Sequence, residues 1–102
     1  MSQYLRPYIE ALLTTVAAFS TGQATVDTGA DLIVAANTAR KFLEITNTSL
    51  AREVYIGNSG VTAATGHYLP PGASFVIDLS ICTAAFYGIT AAGSAVLTYI
   101  EW

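Results

Sequence analysis

From Ala24 onward, short apolar runs alternate with turn-forming residues, the texture of antiparallel strands and not of helices. Eight runs are expected to form strands: Ala24–Asp27, Leu32–Ala35, Lys41–Asn47, Glu53–Ile56, Tyr68–Leu69, Ser74–Asp78, Ala84–Ile89 and Ala95–Glu101. The third is the clearest, because Leu43 and Ile45 fall on one side and Glu44 and Thr46 on the other, as a half-buried strand requires. In the last run Val96, Thr98 and Ile100 oppose Leu97, Tyr99 and Glu101, and since both sides are largely apolar both are expected to be covered. The breaks are turn chemistry. Gly57-Asn58-Ser59-Gly60 fits a tight connection. Pro70-Pro71-Gly72 fixes two φ angles and releases the chain at Gly72. Ala91-Ala92-Gly93-Ser94 fits a hairpin loop joining the last two strands. The expected fold is all-β: a small antiparallel β-sandwich over residues 21–102, jelly-roll-like or immunoglobulin-like, with Leu43, Ile45, Val54, Ile56, Phe75, Ile77 and Ile89 in its core.

Residues 1–20 have a different pattern. Tyr4, Leu5, Tyr8, Ile9, Leu12, Leu13 and Val16 recur at helical spacing and share one helical face. Pro7 is tolerated in a first helical turn, yet it biases Arg6 toward an extended form, and Thr14 to Phe19 is β-rich. The segment is therefore read as an amphipathic helix or an extended arm. In either form its apolar residues need a surface to pack on, and Tyr4, Leu5, Tyr8, Ile9, Leu12 and Leu13, with Trp102 at the other end of the chain, are the candidate interface residues.

Composition sharpens this reading. With 102 residues the chain suits one domain and one modest core. Charged residues are 11% of the total, where about 25% is ordinary, and hydrophobic residues reach 53%. So few charges cannot cover the large relative surface of a small domain, which implies either a membrane or surfaces buried by partners. The apolar stretches Ala11–Phe19, interrupted by Thr14 and Thr15, and Val96–Ile100 fall short of the roughly 20 residues a spanning helix needs. Glu10 and the interrupting Tyr4, Pro7 and Tyr8 make a poor signal peptide. A soluble protein with buried assembly surfaces is expected. Net charge is −3, and the basic residues Arg6, Arg40, Lys41 and Arg52 form no stripe, so nucleic acid is not an expected partner. Cys82 is the single cysteine, which excludes an internal disulfide, and its apolar surroundings from Leu79 to Phe86 mark it as a buried structural thiol.

Converging chemistry is not visible. The single histidine, His67, lies in a Gly/Pro-flanked loop with no spacing that relates it to Cys82. Asp27 and Asp31 flank a Thr-Gly-Ala turn, where aspartates bond their own backbone more often than they hold calcium. Gly57-Asn58-Ser59-Gly60 lacks the following lysine and helix of a phosphate loop. Asn47-Thr48-Ser49 matches the glycosylation sequon without a secretion signal to give it meaning. Tyr4, Tyr8, Tyr55, Tyr68, Tyr87, Tyr99 and Trp102 suit strands and protein interfaces better than a sugar-stacking platform. No enzymatic activity, cofactor or metal is expected.

One ordered set of motifs points further. The stretch from Asp31 to Asn47 runs through Ala35-Ala36-Asn37, then Arg40-Lys41, into a strand ending in Asn. Val54-Tyr55-Ile56-Gly57, Gly60-Val61-Thr62, Leu69-Pro70-Pro71-Gly72, Tyr87-Gly88-Ile89 and Ala95-Val96-Leu97 follow in order. Together they resemble small virion proteins of tailed bacteriophages. The resemblance spans about residues 24–102 and implies a β-sandwich on a virion, as a capsid decoration (cement) protein or a head-fibre or tail-associated domain, often a trimer or dimer. The expected function is a non-enzymatic structural protein that stabilises the head through contacts with itself, as a homo-oligomer with a trimer favoured, and with the major capsid protein or another virion protein. Its expected place is the capsid surface after synthesis in the host cytoplasm, with neither membrane nor nucleic acid as partner. The alternative is a ligand-binding module of a fibre or tail, for carbohydrate or host attachment.

Overall fold

The computed structural model describes residues 18–78 and 82–102. The helix-or-arm expectation for the N-terminal segment, and its candidate residues Tyr4, Leu5, Tyr8, Ile9, Leu12 and Leu13, lie outside the described residues. The described chain forms β1 (Ser20–Val26), β2 (Asp31–Val34), β3 (Phe42–Asn47), β4 (Val54–Gly57), β5 (His67–Leu69), β6 (Ser74–Asp78), β7 (Phe86–Ile89) and β8 (Ala95–Glu101). Among the described residues no helix is long and apolar enough to cross a membrane.

Every strand pairing is antiparallel, and the pairs are nested: β1 with β8, β2 with β7, β3 with β6 and β4 with β5. The chain is in effect one long hairpin folded at the β4–β5 loop. Two further pairings, β3 with β8 and β4 with β7, gather it into two four-stranded sheets, ordered β1-β8-β3-β6 and β2-β7-β4-β5. Consecutive strands from β1 to β8 thus alternate between the sheets, except that β4 and β5 stay within one sheet.

Alternation along the strands builds the core. Leu43 and Ile45 from β3, Leu97 and Ala95 from β8 and Val26 from β1 meet Val54 and Ile56 from β4, Ile33 and Val34 from β2, Leu69 from β5 and Phe86 from β7. Ile33 and Val34 are both buried because the β2–β7 register shifts between Leu32 and Val34. Five of the seven residues expected in the core are buried there: Leu43, Ile45, Val54, Ile56 and Ile77. Phe75 is partly buried against it. Ile89 is a correction. On β7 the inward positions are Phe86 and Gly88, so Ile89 points outward and is only half-buried. A side chain at Gly88 would meet Ile33, Val26 and Val54 at 2.9–3.3 Å, which is why the smallest residue occupies that inward position. A second correction concerns β8, whose Val96 side is not covered by the described chain: Val96 is 41% exposed, whereas Leu97 is fully buried.

The connections follow local chemistry with two departures. Ala73 N–H donates to Pro70 O at 3.1 Å and Gly72 has φ +80°, the geometry of a turn with proline first and glycine in the left-handed position. Gly72→Ala should destabilise the domain by about 1–2 kcal/mol through backbone strain alone, because nothing lies within 4 Å of the added methyl. A denaturant titration checks this. Gly57-Asn58-Ser59-Gly60 does turn the chain tightly, with Val61 N–H donating to Asn58 O at 3.0 Å, but the turn opens a longer loop that returns to β5 only at His67. Ala91 to Ser94 is not a hairpin loop either, since β7 and β8 belong to different sheets and the segment carries the chain across the sandwich.

Candidate functional site

The outer side of the β2-β7-β4-β5 sheet presents the most unusual surface. Register places Leu32 opposite Tyr87, and Tyr55 between Ile89 and Tyr68. Leu32 and Tyr68 are 47% and 48% exposed, and Tyr55, Tyr87 and Ile89 are half-buried. The Tyr55 and Tyr68 rings lie tilted at 5.7 Å. At the end of β4, Val61 folds back over Gly57: a side chain at Gly57 would meet Val61 Cγ2 at 2.8 Å. The charge beside these residues is Glu53, whose Oε2 accepts from the Tyr55 hydroxyl at 3.4 Å. The Tyr68 phenol is held above the usual tyrosine range, first by desolvation and then by the Glu53 carboxylate. This face is therefore aromatic, neutral over most of its area and built on rigid strands.

Two polar corners hold the strands in place. At one, Arg40 is buried with its guanidinium bonded to four acceptors: Cys82 O, Ala84 O, Ala35 O at 3.0 Å and Glu101 Oε2 at 3.2 Å. Cys82 Sγ donates back to Arg40 O at 3.2 Å, and Glu101 Oε1 accepts from Asn37 Nδ2 at 3.4 Å. The buried structural thiol is thus part of this corner. At the other, Asn47 is fully buried and its Nδ2 donates to Arg52 O at 2.8 Å and Leu69 O at 3.0 Å. Its Oδ1 accepts from Ser49 N–H at 3.0 Å. A side chain so enclosed is a structural tie, and the sequon at this position is not an acceptor in the folded domain.

Other residues singled out by type have ordinary placements. Asp27 Oδ1 accepts from Gly29 N–H and Asp31 Oδ2 from Asp27 N–H, each at 2.9 Å, so both carboxylates serve their own turn. His67 stands on β5 with its ring 5.1 Å from Phe75. Among the described residues no group of three or more histidines, cysteines or carboxylates could hold a metal ion. Trp102, the described member of the candidate interface set, is half-buried and stacks on Phe42 at 4.3 Å with 10° between planes. Its backbone extends the β3–β8 ladder, with Trp102 N–H donating to Phe42 O at 3.2 Å. It is tied to its own sheet and belongs to the opposite face of the sandwich from Tyr55 and Tyr68.

The structural class is an all-β domain of two packed antiparallel sheets. No family model matches the chain, and no curated protein matches it. Among solved structures, a chain from Bacillus endospore appendages, described as a family of disulfide-linked pili, aligns with a TM-score of 0.48 at 16% identity. That alignment covers 83% of this chain and 84% of the other. A likeness at that level defines neither a shared family nor a shared activity.

Proposed function

We propose that this chain is a non-enzymatic virion structural protein of a tailed bacteriophage, a capsid decoration protein that stabilises the head by protein–protein contacts. The observation that carries the reading is the outer face of Leu32, Tyr55, Tyr68, Tyr87 and Ile89, an aromatic patch with little charge in a chain where only 11% of residues are charged. Tyrosine-rich, charge-poor patches on rigid scaffolds are the usual centres of protein interfaces. The nested strand order supports the finer fold reading as well, because it is the order of a jelly roll, an architecture recurrent in viral capsid and lectin domains. In this reading the protein works as a homo-oligomer, a trimer, on the capsid surface, beside the major capsid protein. The N-terminal residues Tyr4, Leu5, Tyr8, Ile9, Leu12 and Leu13 act as an anchoring arm.

The test is the oligomeric state of the full chain by native mass spectrometry at micromolar concentration. The unsubstituted protein is expected as a trimer. Leu32→Ser combined with Tyr68→Ser should shift it toward monomer with its cooperative thermal transition retained. A well-behaved monomer before any substitution would refute the assembly reading.

A further inference from the structure

The outer side of the other sheet carries a different surface, in which a polar trough lies among the exposed Phe19, Val76 and Val96. A trough of about 310 Å³ crosses β1, β8 and β3. Its lining side chains are Thr21, Gln23, Glu44, Thr46, Thr98 and Ile100. Register explains why they converge. Thr21 pairs with Ile100, which pairs with Glu44; Gln23 pairs with Thr98, which pairs with Thr46. Two neighbouring rows of one sheet face therefore supply three hydroxyls, one amide, one carboxylate and one aliphatic side chain. One row beyond Glu44 and Ile100, on the same face of the same two strands, stands the stacked Phe42–Trp102 pair.

The geometry points to this trough as a binding site for a neutral saccharide. Threonine hydroxyls and the glutamine amide both donate and accept, which suits sugar hydroxyls that do the same. Glu44 accepts only, and a carboxylate can take two hydrogen bonds from adjacent hydroxyls of one ring. Among the described residues the side chains of Gln23, Glu44 and Thr98 have no hydrogen-bond partner, so their capacity is open to a ligand. Thr46 is already oriented, its hydroxyl 2.7 Å from that of Ser74. Ile100 lies between the polar groups and offers an apolar floor to the C–H face of a sugar ring. The stacked Phe42–Trp102 pair lies one row further along the same face, beyond the lining of the trough. The single carboxylate and the absence of a basic side chain from the lining argue against phosphate or another anion. The volume is at the lower end of the roughly 300–1,000 Å³ of small-ligand sites and suits one ring. The expected affinity is millimolar, which is useful when several copies present the trough together.

This inference stands apart from the assembly reading, since the two use opposite faces. The experiment is an NMR titration of the isotopically labelled full chain with the methyl glycosides of glucose, galactose and mannose and with N-acetylglucosamine. At least one of these is expected to shift the amides of Glu44, Thr46, Thr98 and Ile100 saturably in the millimolar range. Glu44→Gln should weaken that binding by about tenfold, the value of a lost hydrogen bond to a charged group. Thr98→Val removes a hydroxyl without changing shape and should weaken it as well, so a folding failure of one variant leaves the other to decide. Leu50→Ser, at an exposed position outside both the trough and the aromatic face, should leave it unchanged. If none of the four sugars moves these amides through the millimolar range, or if both trough variants bind as the parent does, the inference is wrong. The oligomer measurement above is untouched by either result.

Discussion

Arg40→Met should lower the stability of this domain by about 3–5 kcal/mol, the range seen when one partner of a buried ion pair is removed. The side chain of Arg40 is fully buried and that of Glu101 is 15% exposed. Most of the loss arises less from Glu101, which keeps some contact with water, than from the carbonyls of Ala35, Cys82 and Ala84. Each of these loses a charged donor. The Ala35 carbonyl lies just past β2, those of Cys82 and Ala84 precede β7, and Glu101 ends β8, so one guanidinium joins three segments distant in sequence. Methionine fills much of the volume and donates nothing. Arg40→Lys should recover only part of the loss, because a single ammonium cannot reach the separated acceptors of a planar fork. Glu101→Gln should be the mildest of the three changes, since an amide oxygen still accepts from Arg40. Denaturant midpoints with an unchanged m-value check this ordering. A loss below about 1 kcal/mol for Arg40→Met would mean that this corner is not a determinant of the fold.

The strands were legible because their signal is local. All eight expected runs correspond to observed strands, and Ser74–Asp78 and Ala95–Glu101 have the same bounds in both. In β3, Leu43 and Ile45 alternate with Glu44 and Thr46, so the buried face follows from the side chains themselves. In β7 that contrast is missing. Phe86-Tyr87-Gly88-Ile89 is apolar at every position, and only the register shows that the glycine faces inward and Ile89 outward. The partition into two sheets was equally hidden. Ala91 to Ser94 has the composition of a hairpin loop, and its residues do not reveal that β8 pairs with β1 and β3 while β7 pairs with β2 and β4.

The aromatic face was visible only as a high count of tyrosines. Its convergence depends on Tyr55 standing opposite Tyr68 and beside Ile89, and on Leu32 standing opposite Tyr87. Those pairings join residues far apart in the chain. The trough on the opposite sheet has the same origin, since Glu44 and Gln23 share it only because β8 lies between β3 and β1. Arg40-Lys41 is a basic dipeptide and Asn47-Thr48-Ser49 a sequon until acceptors from other segments arrive. In both cases burial changes the chemistry: groups that suggest a surface role become fixed donors to carbonyls.

Asn47 makes this change testable through pH. Asn47→Ala should cost about 2–4 kcal/mol, because it strands the carbonyls of Arg52 and Leu69 and leaves Ser49 N–H without its acceptor. Asn47→Asp preserves the shape and is expected to be at least as damaging near neutral pH. It replaces two donors by a charged oxygen that faces two carbonyl oxygens in a site with no exposure. Both desolvation and these dipoles oppose ionisation, so the introduced carboxyl has a folded-state pKa above its unfolded value. The folded form of the variant then binds more protons than the unfolded form in that interval, and its stability falls as pH rises and recovers as pH falls. Protonation also restores one donor, which can serve one of the two carbonyls. The expected result is therefore a stability gap between Asn47→Asp and the parent that narrows from neutral to mildly acidic pH, while the gap for Asn47→Ala stays constant. Measuring both variants against the parent at each pH removes the contribution of the other carboxylates. A constant gap for Asn47→Asp would show that water reaches this corner when the carboxylate is present.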